Sequence, residues 1–191
     1  MNDNSPASQL DGYGCWCNFG ENYFLGRGQP VDLNDQLCKQ LHDGYACAVI
    51  DSEQEPSQEN DVCEPWKIEY KAVSIFSNDP NSDCKAANKD NTCAANACTV
   101  ETYFQQQVIS NLFAEIEIDV NSFGHSKGFD SREGCPINQG VKSESRECCG
   151  EYPIRFPYKS LDGARACCDG RTYSTVKFEC CDDGTISAAC I

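Results

Sequence analysis

The sequence predicts an α+β, disulfide-rich fold in which a helical module is followed by a small β-rich dicysteine module. Three observations predict it. Sixteen cysteines stand in 191 residues, a density found in secreted proteins that are built on disulfides. They divide evenly, eight at 15, 17, 38, 47, 63, 84, 93 and 98 and eight at 135, 148, 149, 167, 168, 180, 181 and 190, with a cysteine-free segment of 36 residues between. The first block holds two runs of helical apolar period, and the second holds three adjacent-cysteine pairs among short β-rich runs. Each block has an even count and can close four bridges of its own, so bridges are expected to stay within the blocks. Spacing alone leaves their pairing open.

Residues 1–12 read as a tail, and residues 13–121 as the helical module. Pro30, with Asp32 or Asn34 as the cap, opens a helix whose Leu37, Leu41, Tyr45 and Ala48 share one face. His42 and Asp43 lie on it, one turn beyond Cys38. Residues 51–61 are a polar loop, and residues 66–76 begin with an alternation that predicts a strand or hairpin. Asp79-Pro-Asn-Ser-Asp83, with Asp90 beyond, imitates half of a calcium loop, but it lacks the glycine and the final glutamate and reads as a capped turn before Cys84. Residues 94–116 then predict a long helix with Ala97, Val100, Phe104, Val108, Leu112 and Ile116 on one face. Residues 122–134 have linker composition, and His125 within them, with no motif around it, reads as a surface residue. Residues 135–191 form the second module, with β-rich runs at Arg155-Phe-Pro-Tyr and Arg171-Thr-Tyr-Ser between the cysteine pairs. Adjacent cysteines bridge to each other only under strain, so each pair is expected to tie two different neighbouring strands.

Thirty acidic against fifteen basic residues give a net charge of −15. A phosphate backbone or an anionic lipid surface repels such a chain, so no nucleic acid is expected as a partner. No run of about 18 apolar residues occurs, and no spanning helix is expected. The polar start Met1-Asn-Asp-Asn-Ser-Pro lacks the charged-then-apolar pattern of a signal peptide, so the sequence reads as a mature chain. There is no Asn-x-Ser/Thr acceptor for glycosylation.

Tyr13-Gly-Cys-Trp-Cys-Asn-Phe-Gly, then Gly26-Arg-Gly-Gln-Pro-Val-Asp32, then Cys38-Lys-Gln-Leu-His42-Asp43 stand in one order. That order resembles secreted phospholipase A2, whose calcium loop reads YGCxCGxGGxGxPxD and whose catalytic helix reads CCxxHDxCY. Cys84-x8-Cys93-x4-Cys98-Thr-Val-Glu101 is similar to the family's C-x6-C-x4-C-E-C-D, with Glu101 at the aspartate and Val100 at the last cysteine. The family bridges that cysteine to the one in HDxCY. Here that position reads as Tyr45, so both partners are missing together or Cys47 has taken the role. The resemblance implies a phospholipase-A2-like helical module with pairs Cys17–Cys38, Cys63–Cys93 and Cys84–Cys98. It implies Ca2+ as cofactor, held by the Asp43 carboxylate and by carbonyls of Trp16, Asn18 and Gly20 or a nearby loop residue, because calcium takes hard oxygen ligands. It implies His42 as the base that activates water, with Glu101 orienting it.

Several residues depart from the family. The loop after Cys17 is five residues longer, Asn18 replaces a glycine, and one extra residue separates Asp35 from Cys38, a helical phase change of about 100°. Glu101 is one methylene longer than aspartate, and with twelve residues before Tyr13 the family's N-terminal amphipathic helix is expected to be absent or much reduced. These departures favour loss of hydrolysis with calcium binding retained.

Cys148-Cys149-Gly, Cys167-Cys168-Asp-Gly and Cys180-Cys181-Asp-Asp-Gly resemble the dicysteine repeats of galaxin-like extracellular matrix proteins. Together the readings give a secreted, extracellular, calcium-binding structural protein, a building block of a matrix, coat or fibre. Its partners are copies of itself or other extracellular matrix proteins, and the insertion Glu21-Asn-Tyr23-Phe24-Leu25 is the expected contact. The rival reading is an active calcium-dependent phospholipase A2, and a membrane is a partner only under that reading. A toxin or ligand that binds a receptor through the second module is a third class.

Overall fold

The computed structural model describes residues 6–19, 26–54, 62–137 and 146–190. The insertion at residues 21–25 and Gly20 lie outside the described residues. Two long helices dominate, α1 (Leu33–Gln54) and α3 (Thr92–Phe113), with the short α2 (Pro80–Ala87) between them in the chain. They run antiparallel: Asn111 donates to Asn34 at one end, and Tyr45 donates to Glu101 further along. Each starts where the sequence supplies a cap. Asp32 accepts from the Asp35 N–H at 2.9 Å, Asn91 from Ala94 at 2.9 Å, and Asp79 from Ser82 at 3.0 Å with Pro80 behind it. The capped turn expected at Asp79 is the start of a helix that contains Cys84.

The apolar faces of α1 and α3 meet in one core of Leu41, Tyr45, Val100, Phe104 and Val108. A 3-10 turn, Pro6–Leu10, brings the fully buried Leu10 into it, and Tyr13 closes it from the loop side. Burying each such side chain contributes about 1.5–3 kcal/mol. Residues 66–76, expected as a strand or hairpin, contain no strand. A strand needs a ladder partner. Here Asn88 clamps the segment instead, accepting from the Lys71 N–H at 2.8 Å and donating to the Lys71 carbonyl at 3.0 Å. After α3 come α4 (Val120–Phe123), a 3-10 turn His125–Lys127 and α5 (Ser131–Gly134). This stretch packs back on the start of the chain, where His125 N–H donates to the Gly12 carbonyl and Gly14 N–H to that of Phe123.

The described residues from 146 on form three separate antiparallel hairpins: β1 (Arg146–Cys149) with β2 (Phe156–Lys159), β3 (Arg165–Cys168) with β4 (Arg171–Ser174), and β5 (Glu179–Cys180) with β6 (Ile186–Ser187). The second turns through Asp169 and Gly170, both at positive φ (45° and 72°), the conformation a two-residue hairpin turn requires. No sheet joins the hairpins. Disulfides do, in series: Cys149–Cys167 joins the first to the second and Cys168–Cys180 the second to the third, while Cys181–Cys190 closes the chain end onto the last. Successive strand residues point to opposite faces, so an adjacent pair aims one sulfur backward and one forward along the series. Only the middle pair ties two strands as expected, β1 and β5; Cys148-Cys149 ties α1 and β3, and Cys180-Cys181 ties β3 and the segment after β6.

Cys17–Cys38, Cys63–Cys93 and Cys84–Cys98 also form as expected. The expectation that all bridges stay within the two blocks is corrected by Cys15–Cys135 and Cys47–Cys148. Two cross-block bridges take two cysteines from each block and leave the counts even, so parity gave no sign of them. Asp51 on α1 reinforces the junction, accepting from Arg155 Nε at 2.9 Å and Nη2 at 3.0 Å and from the Tyr152 hydroxyl at 2.9 Å. The paired guanidinium geometry is the strong form of such a contact.

Candidate functional site

The loop from Tyr13 to Cys17 is folded by one carboxylate. Asp35, fully buried at the first turn of α1, accepts from the N–H groups of Cys15 (2.9 Å), Trp16 (2.7 Å) and Val31 (2.9 Å). Burial raises its carboxyl above the ordinary range against the pull of those three donors. Gly14, at φ +62°, lies so close that a Cβ there would sit 2.5 Å from the Asp35 carboxyl carbon. The Tyr13 hydroxyl donates to Asp32, and burial followed by that bond raises its pKa. His125 is more than a surface residue. Its Nε2 lies 2.8 Å from the Gly14 carbonyl oxygen, and its ring stacks on Phe129 at 6.0 Å.

Beside this loop, α1 presents His42, Lys39 and Asp43. His42 is 7 % exposed, meets the Trp16 ring edge to face at 5.7 Å and hydrogen-bonds the Trp16 backbone. Burial, with Lys39 nearby, pushes its imidazole down to about 4, so it is neutral at pH 7. Lys39 Nζ lies 2.5 Å from Asp43 Oδ2 and 5.2 Å from the Trp16 ring centroid. Burial raises the Asp43 carboxyl, and Lys39 opposes that shift.

Glu101 lies on the facing helix with both oxygens engaged. Oε1 accepts from the Tyr45 hydroxyl at 2.5 Å and Oε2 from Tyr70 at 2.6 Å. The contacts of His42, with Trp16 and near Lys39, and those of Glu101, with the two tyrosines, do not overlap. Gly44 explains why. A Cβ on Gly44 would lie 2.7 Å from both Val100 methyls, so Gly44 is the residue packed on Val100. Val100 stands at the family's cysteine that bridges to HDxCY, so the missing partner is Gly44, which corrects the expectation of Tyr45. A tight glycine–valine contact fills the space of that bridge, and Cys47 bonds Cys148 instead. In this register Tyr45 is the tyrosine of CCxxHDxCY, Cys38 is the second cysteine of its pair, and no extra residue follows Asp35. The family's histidine then falls on Leu41, its aspartate on His42, and Asp43 on the unspecified position. Leu41 is 1 % exposed in the core, at the floor of a groove with Val100, Phe104 and Pro153 that is too narrow to admit water.

Two of the expected calcium ligands, Trp16 and Asp43, are already engaged by the protein. The Trp16 carbonyl accepts from the Asn18 N–H at 2.9 Å and Trp16 backbone also bonds His42, while the Asp43 carboxylate pairs with an ammonium. Among the described residues no group of three or more His, Cys, Asp or Glu side chains could hold a metal. Sequence reasoning missed Lys39, Asp35 and Tyr70. Lys39 was legible four residues before Asp43, the spacing of a helical ion pair. Tyr70 gave no signal, because its neighbours predicted a strand.

No family model matches this chain. It is similar to the acidic phospholipase A2 KBf-grIB of Bungarus fasciatus, at 33 % identity over 98 residues, which cover 50 % of this chain and 58 % of that protein. The match therefore spans little more than half of the relative's length. It supports a remote phospholipase-A2-like relationship for a helical, disulfide-rich scaffold. No solved structure matches.

Proposed function

We propose that this protein is a secreted extracellular scaffold on a phospholipase-A2-like framework, without hydrolysis and without calcium in the Trp16–Asn18 loop. Its galaxin-like dicysteine hairpins serve as a rigid appended module, and copies of the chain or other matrix proteins are its partners. The observation that carries this reading is Leu41, an apolar side chain sealed in the core at the place where a hydrolase needs an imidazole. A base must reach the proton it takes, and leucine has no lone pair to accept one. Glu101, which would orient that imidazole, accepts from Tyr45 and Tyr70 instead and braces the two helices. The sixteen cysteines favour an oxidising compartment.

The test joins calorimetric titration with calcium to hydrolysis of phosphatidylcholine vesicles. No heat of binding at the loop and no release of fatty acid are expected. Calcium-dependent hydrolysis that disappears in His42→Gln would sink the reading and favour an active phospholipase A2. Leu41→His with His42→Asp restores the family's dyad in the register given above. Its new imidazole is expected to titrate higher than His42 does, because it would face the Glu101 carboxylate, and proton NMR reads that shift.

A further inference from the structure

The net charge is unevenly placed. Residues 1–134 carry 22 acidic and 8 basic side chains, whereas residues 135–191 carry 8 and 7. The acidic half has an exposed apolar end where α3 stops. Phe113 is 84 % exposed, with Leu112 and Val120 at 41 % each. The helix ends with Glu115 N–H donating to Leu112 and Ile116 N–H to Asn111, which places Glu115 at φ 56°. Glycine is the usual residue there, and a side chain costs about 1 kcal/mol. Glu115 and Glu117 also follow a helix C-terminus with no basic residue in its last turn, although that end favours cations. Local stability explains neither choice.

The complementary surface is on the second hairpin. Beyond β4 the chain turns through Thr175–Phe178 and exposes Val176 (80 %) and Phe178 (42 %) on either side of Lys177. Arg165 and Arg171 are exposed on the same hairpin, with Asp169 alone opposing them up to Phe178. The two surfaces do not cover each other within one chain, since both stay exposed. Each offers large apolar side chains rimmed by charge, of opposite sign.

We propose that copies associate head to tail, with Phe113, Glu115 and Glu117 of one docking on Val176, Lys177 and Phe178 of the next. The contact joins two different surfaces, so it repeats into an open chain or a ring. Opposite charges at the contact set its register and direction, while the remaining acidic surface keeps the copies apart elsewhere. The proposal rests on the scaffold reading and deepens it by naming the surfaces that join.

Sedimentation velocity of the full chain at low and high salt tests it, beside Lys177→Glu and the double variant Glu115→Lys, Glu117→Lys. The wild type is expected to shift to larger species as concentration rises at low salt and back to monomer at high salt, because exposed charges are screened. Each variant alone is expected to stay monomeric, with an unchanged circular dichroism spectrum. An equal mixture of the two is expected to associate again, since each then meets a surface of opposite sign. A wild type monomeric at the highest concentration, variants that associate like it, or a mixture that stays monomeric would each overturn the contact. A chain that hydrolyses phospholipid but associates as described would sink the scaffold reading alone. An inert chain that stays monomeric would sink the contact alone.

Discussion

The two halves of this molecule are held together by different physics. Residues before 135 fold around buried side chains. Leu10, Tyr13, Leu41, Tyr45, Val100, Phe104 and Val108 are all nearly sealed from water. In the hairpins only Cys149, Tyr158, Ser160 and Cys168 are buried, and no strand exceeds four residues. Isolated two-stranded hairpins are marginal in water. The first half could lose a bridge and remain recognisable; the second has little else. What a disulfide contributes therefore depends on which half it serves.

Full reduction should break the comparison open with the largest effect. The hairpins are expected to lose all amide protection while the helical signal of α1 and α3 persists in part, read by hydrogen exchange and circular dichroism. Retained protection in residues 165–187 under reducing conditions would contradict the contrast. Next comes the core. Leu41→Ala is expected to cost about 2–5 kcal/mol in urea unfolding, whereas Val176→Ala in the exposed turn changes stability by no more than about 0.5 kcal/mol.

Acid should separate the halves further, because the buried histidine is in the first. The unfolded imidazole takes its proton at about 6.5 and the folded one not until about 4. Stability is therefore lost as pH falls through that window, by on the order of 2–3 kcal/mol, and the loss stops below it. Asp35 and Asp43, raised by burial, act in the opposite direction at the acid end. Comparing His42→Phe with the wild type isolates the histidine contribution: the variant's urea midpoint should vary less between pH 6.5 and 4. A smaller effect than that of the core or the histidine belongs to the junction. Arg155→Ala is expected to cost about 1–2 kcal/mol and to raise exchange in β1 and β2, leaving α3 unchanged.

Much of the helical half was legible. The fourfold spacing of Leu37, Leu41 and Tyr45 names the buried face of α1, and Asp32 marks its start because a short polar side chain caps free N–H groups. The site was harder to read. His42-Asp43 matches a catalytic dipeptide by identity, yet residue type does not fix helical phase, and phase decides which side chain faces Glu101. The contact of Gly44 with Val100 sets it. The alternation in residues 66–76 failed for a related reason, since a strand is defined by its neighbour and none is there. Cys15–Cys135 and Cys47–Cys148 span separations of 120 and 101, and nothing local encodes such distant encounters.

The serial bridges also set how this chain responds to being pulled. Tension applied between α1 and the last cysteine runs from Cys47 to Cys148, across one peptide bond to Cys149, and on through Cys167-Cys168 and Cys180-Cys181 to Cys190. Every hairpin lies on a side branch of that covalent route, so melting all three releases almost no slack. The intervening loops, with separations of 101, 18, 12 and 9 residues, cannot be drawn out while the bridges last. Under load the module is a short, inextensible tether, and its hairpins are spared the force.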